Sequence, residues 1–115
     1  MTRTVYKYTL DLNLGNIDPV LTIPGGGHFL HLKEQTFDGK PSRLSRIDTW
    51  WAVETDNVPV EVQLHIRGTG DVVPPSVNYL GTAFLSFGLV LHVWQKDQVF
   101  QDMHIVDGKF VSRSQ

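Results

Sequence analysis

Between Pro59 and Arg67 the chain alternates without a fault: Val60, Val62, Leu64 and Ile66 are apolar, and Glu61, Gln63, His65 and Arg67 are polar. A period of two belongs to an extended chain with one face in a core and the other in water, so this segment predicts a half-buried β-strand. Shorter stretches rich in β-branched or aromatic residues predict strands at Thr4–Leu10, Val20–Ile23, Phe29–Phe37, Ile47–Glu54, Leu80–Leu85 and Leu89–Gln95. Breakers separate them: Gly15-Asn16 and Asp18-Pro19, Pro24 to Gly27, Asp38 to Pro41, and Pro74-Pro75. The run Gly81 to Leu91 alternates poorly and reads as apolar on both faces, which places it centrally between two layers, with Gly88 permitting a turn or bulge. No window repeats apolar residues at helical spacing, and the fold class expected is all-β: a small antiparallel β-sandwich or barrel of about seven strands.

Residues 1–95 form this β domain, and 96–115 read as a C-terminal extension. In the extension, Asp107-Gly108 between Met103–Val106 and Lys109–Val111 is a hairpin signal. A two-stranded hairpin is marginal alone. It is therefore expected to pack on its own body or on a second copy, as an oligomerisation arm of a homo-oligomer.

Composition narrows the partners. At 115 residues the chain is one domain able to bury one core. Ten basic against twelve acidic side chains give a formal charge of -2, which disfavours a long nucleic acid but leaves room for a small anion held locally. No apolar run approaches the roughly 20 residues of a membrane span, so no membrane partner is expected. There is no cysteine, hence no disulfide and no thiolate nucleophile, and "MTRTVYKY" lacks the apolar stretch of a signal peptide. A cytoplasmic location follows as the expectation.

Five histidines raise the question of a metal. His28 and His31, three apart, would point to opposite faces of a regular strand and could not chelate one ion. No metal site or cofactor is expected. A phosphodiesterase built on two His-x-Thr or His-x-Ser pairs would place a hydroxyl two residues after each histidine. His28-Phe29-Leu30, His65-Ile66-Arg67 and His92-Val93-Trp94 all lack it. No catalytic residue is assigned, and the chain is expected not to be an enzyme; His65 and His92 are the residues a less familiar nuclease would use.

The stretch "LHIRGTG" carries the best phosphate candidate. A Walker-type loop needs a following helix, and "DVVPPSVNYLG" offers none. A looser grip remains: Arg67, beside His65 on the polar face of its strand, with Gly68, Thr69 and Gly70 supplying a hydroxyl and backbone N–H groups. Trp50 and Trp51 are adjacent on a predicted strand, so one ring enters the core and the other lies outside, where it can stack on a base or pack on a partner. Arg43 and Arg46 lead into them and complete the candidate ligand-binding set.

Taken in order, Tyr6-Lys7-Tyr8-Thr9-Leu10, Ile23-Pro24-Gly25-Gly26, Leu32-Lys33-Glu34-Gln35, Trp50-Trp51-Ala52-Val53, Ile66 to Gly70, Tyr79-Leu80-Gly81-Thr82 and Leu91-His92-Val93-Trp94 form a series over residues 5–95. That series resembles a family of small bacteriophage proteins, mostly of unknown function. The tail from Lys96 and the insertion "FDGKPSRLSRID" lie outside the resemblance. What the resemblance implies is a phage origin and an accessory role. Together with the residue inventory it leads to an expected anti-defence protein that binds and withholds a nucleotide immune signal, a cyclic nucleotide or cyclic ADP-ribose-like molecule, without cleaving it. The alternative expectation is an inhibitor that binds a host defence protein, of the anti-CRISPR type, through Trp50 or Trp51, Arg43 and Arg46.

Overall fold

The alternating segments fold as two antiparallel sheets. One has three strands, in the order β1 (Arg3–Asp11), β6 (Arg46–Glu54), β3 (His28–Glu34). The other has four, in the order β2 (Val20–Pro24), β7 (Pro59–Gly68), β9 (Val90–Lys96), β8 (Val77–Phe84). The computed structural model of the chain describes residues 2–13, 15–37, 39–41, 45–97, 103–106 and 109–112. Two short ladders complete it: β4 (Thr36–Phe37) pairs with β5 (Lys40–Pro41), and β10 (Met103–Val106) with β11 (Lys109–Ser112). The Asp107-Gly108 turn expected between the last two lies outside the described residues. Among the described residues no helix is long and apolar enough to cross a membrane.

The core lies between the two sheets. Leu10, Leu32, Ile47, Trp51 and Val53 face inward from the first, and Leu21, Ile23, Val62, Leu64, Ile66, Ala83 and Val93 from the second. Along β7 the buried positions are Val62, Leu64 and Ile66, as its alternation dictates. Trp51 is 1% exposed and meets the edge of Phe29 at 5.3 Å between ring centroids. Its indole Nε1–H donates to Thr49 Oγ1 at 2.9 Å, and the Thr49 hydroxyl donates to the Tyr8 carbonyl at 2.8 Å. The largest core side chain is thus pinned by a buried hydroxyl, so its neighbour Trp50 must face out.

Three expectations are corrected. The segment Phe29–Phe37 is two strands, because Gln35 leaves the ladder and donates its backbone N–H to Arg46 O at 3.0 Å. The Gly81–Leu91 run does not lie centrally: β8 is the sheet's edge and Phe84 is 75% exposed, while the turn allowed at Gly88 is present as a short 3-10 segment, Ser86–Gly88. Gly88, with φ of 78°, supplies the left-handed backbone of that turn. Finally, His28 and His31 share a face.

The shared face of His28 and His31 has a clear cause. Opposite β6, His28 pairs with Ala52 and His31 with Trp50, and the register slips between Phe29 and His31. Leu30 is the extra residue of a β-bulge. Skip it, and the alternation is restored: His28 out, Phe29 in, His31 out, Leu32 in. β8 repeats the device, with Leu80 extra, so that Tyr79 and Thr82 share the outer face opposite Trp94 and His92. The two bulged strands face each other across the seam between the sheets, where Gly81 sits against the Leu32 side chain.

Candidate functional site

The ligand-binding residues expected from sequence separate onto opposite outer faces of the sandwich. Arg67, His65 and Thr69 lie on the four-stranded side, and Trp50 and Arg46 on the three-stranded side. Trp51 is in the core between them, and Arg43 lies outside the described residues.

On the four-stranded face, the Arg67 guanidinium already has partners. Its Nε donates to Val72 O at 3.2 Å, one terminal nitrogen donates to Ile66 O at 2.9 Å and to Ile17 O at 3.4 Å, and the same nitrogen lies 3.0 Å from Asp18 Oδ1. The side chain is 15% exposed. It clamps the loop before β2 and the loop after β7 onto the end of β7. Asp18 Oδ1 also meets His65 Nδ1 at 2.7 Å. That hydrogen bond, with the Arg67 charge beside it, holds the Asp18 carboxyl below its usual range.

The Gly-Thr-Gly turn is likewise engaged. Gly68 N–H donates to Asp71 Oδ2 at 2.8 Å, placing a carboxylate where a phosphate would have to go. Thr69 Oγ1 lies 2.9 Å from His92 Nε2, and His92 Nδ1 lies 2.9 Å from Thr82 Oγ1, which in turn bonds the Tyr79 hydroxyl. A neutral imidazole needs one donor and one acceptor, and two hydroxyls satisfy it in either tautomer. The chain Thr69–His92–Thr82–Tyr79 therefore laces the turn to β9 and β8. Beside it, Tyr79 packs on Trp94 at 5.1 Å between centroids.

The three-stranded face is different. Its middle row runs Lys7, Trp50, His31, one residue from each strand in direct register. The next rows place Val5, Ala52 and His28 together on one side, and Thr9, Asp48 and Lys33 on the other. Trp50 is partly covered by the His31 ring, which lies 5.9 Å away and tilted by 32°. Lys7, His28, His31 and Lys33 are exposed. Among the described residues no carboxylate pairs with Lys7 or Lys33. Asp48, which stands opposite Lys33, is 5% exposed and accepts instead from Thr9 at 2.6 Å and Gln35 at 3.2 Å. Arg46 leans on Asp11 at 3.4 Å and Arg3 on Glu54 at 3.2 Å, so these two cations are neutralised at the ends of the face.

This face joins an indole and an imidazole in loose stacking contact to two uncompensated ammonium groups and a second imidazole. Planar rings bind through such π surfaces, and ammonium and imidazole N–H groups bind phosphate oxygens. Lys7, His28, His31 and Lys33 were not among the expected ligands. For His28 the signal was Leu30, an apolar residue out of phase between Phe29 and Leu32. Among the described residues, no group of three or more histidine or carboxylate side chains is placed to hold a metal ion.

A family model described as "Domain of unknown function (DUF7352)" matches residues 1–103. No curated protein and no solved structure matches the chain.

Proposed function

The chain belongs to the DUF7352 family, whose description carries no activity, and we propose from its surface that it binds and withholds a small nucleotide. The carrying observation is the row Lys7–Trp50–His31, widened by the Leu30 bulge that brings His28 onto the same face. The base stacks on Trp50 and His31, and Lys7, Lys33 and His28 hold the phosphates. Stacking contributes about 1–3 kcal/mol per base, and the charged contacts add to it. A flat face covers only one side of a planar ligand, so a second copy laid over the first, with its own tryptophan on the far side, completes the site. In the cytoplasm of an infected host, such a protein acts by lowering the free concentration of a cyclic nucleotide or cyclic ADP-ribose-like immune signal, without cleaving it.

Thermal unfolding in the presence of cyclic mononucleotides, cyclic dinucleotides and ADP-ribose tests this. A ligand at 1,000 times its dissociation constant adds about 4 kcal/mol of stability. Trp50→Ala is expected to abolish the shift while leaving the unliganded transition in place. Heating the complex should release intact ligand. Recovery of a cleaved product, or no shift with any of these compounds, overturns the proposal. One observation favours a second reading: Val5, in the row beside Trp50, is 55% exposed. An aromatic with an apolar surround and a charged rim is also how a protein partner is gripped. A host defence protein that binds wild type but not Trp50→Ala, with no nucleotide effect, would establish that reading instead.

A further inference from the structure

At the end of the sandwich that carries the Gly68–Asp71 turn, the sheets part around a cleft of about 330 Å³. That volume is at the lower end of small-molecule sites. Leu12, Ile17, Ile66, Leu89 and Leu91 line it. Ile66 is 2% exposed, whereas Ile17 and Leu89 remain 49% and 46% exposed. The ionisable group on its wall is Asp71. One Asp71 oxygen accepts the Gly68 N–H at 2.8 Å, and the turn is closed by Asp71 N–H donating to Gly68 O at 3.1 Å. Among the described residues no cation pairs with this carboxylate. Arg67, the nearest guanidinium in sequence, is turned to Asp18 and backbone carbonyls.

An apolar cavity with a single uncompensated carboxylate on its wall selects by charge. A carboxylate-headed ligand would meet like charge; a neutral head would gain a hydrogen bond alone; an ammonium head would gain an ion-paired one. We propose that this cleft is a binding site for a small primary alkylamine, its carbon chain among Leu12, Ile17, Ile66, Leu89 and Leu91 and its ammonium on Asp71. The site is separate from the Trp50 face and does not depend on nucleotide binding there.

Titration of the full chain with hexylamine, hexanol and hexanoate, followed by the isoleucine and leucine methyl resonances, tests it. The Ile17, Ile66, Leu89 and Leu91 methyls are expected to move saturably with hexylamine. Hexanol should bind about tenfold more weakly and hexanoate not measurably, since a charge-assisted bond at a partly exposed site is worth at least that factor. Asp71→Asn keeps an acceptor for Gly68 N–H and so keeps the turn. In that variant hexylamine should fall to within about twofold of hexanol. Equal binding of hexanoate and hexylamine, an unchanged amine preference in Asp71→Asn, or movement of methyls elsewhere but not in the cleft overturns the proposal.

Discussion

Thr49→Val isolates the buried hydroxyl that decides which tryptophan faces out. Thr49 is fully buried; it accepts from Trp51 Nε1 and donates to the Tyr8 carbonyl. Valine has nearly the same shape, so the core neither collapses nor overfills. What changes is that the Trp51 N–H is left without an acceptor inside the core, which costs about 1–3 kcal/mol. The Tyr8 carbonyl tolerates its loss better, because an oxygen with two lone pairs is more often found short of a partner in a core than an N–H is. The net expectation is about 2 kcal/mol of destabilisation, or roughly 8 °C in Tm for a domain of this size. Thr49→Ser is the comparison: it keeps both hydrogen bonds and loses one buried methyl, a cost of about 1 kcal/mol. Urea unfolding followed by tryptophan fluorescence should rank wild type above Thr49→Ser above Thr49→Val, with an unchanged m value. If packing alone held Trp51, the two variants would exchange places, and that order would refute the reasoning.

Arg67→Lys should destabilise the fold by about 1–3 kcal/mol, because one ammonium cannot serve the carbonyls of Ile17, Ile66 and Val72 together with Asp18. Nucleotide affinity measured well below its Tm should be unchanged; a loss of affinity without a loss of stability would move the site to Arg67. Gly70→Ala should cost about 1 kcal/mol or more by thermal unfolding, since φ there is 92°, where an L side chain is strained. Deleting Leu30 removes the extra bulge residue and leaves the in-and-out order of β3 intact, so a cooperative transition by circular dichroism is expected, and its absence would contradict the register. Acid should weaken the protein through Asp11 and Asp18. The Asn13 backbone and side-chain N–H groups lower Asp11, and the bond to His65 leads in lowering Asp18. A carboxylate lowered in the folded state contributes its stability above its unfolded pKa of about 3.9, and that contribution is lost as pH falls from there through the lower folded value. Tm measured downward from about pH 5 should therefore fall less steeply in Asp18→Asn than in wild type.

The alternation of β7 was legible because it depends on nothing but itself: each of Val62, Leu64 and Ile66 needs only a core on one side. The Trp50–Trp51 pair was legible as a pair, but not as a choice. Selecting Trp51 for the interior took Thr49, two residues away on the same face, and the Tyr8 carbonyl on the neighbouring strand, a partner 41 positions distant in the chain. The bulges were hidden for a related reason. Leu30 and Leu80 are apolar residues that a period of two must place on one face or the other, and only pairing with Trp50–Trp51 and with Val93–Trp94 shows that each stands outside the count. Once the count is corrected, His28 joins His31 and Lys33 on the face of Trp50, and the region best suited to an anion moves from the motif with the arginine to a row that shares no motif. Arg67 shows why chemistry read from residue types placed it elsewhere. A guanidinium beside a Gly-Thr-Gly turn has the donors for a phosphate, but whether they are free depends on Ile17, Asp18 and Val72, which the fold folds back onto it. Lys7 and Lys33 are cations with which no carboxylate among the described residues pairs, and an anion is bound by the charge left over rather than by the charge present.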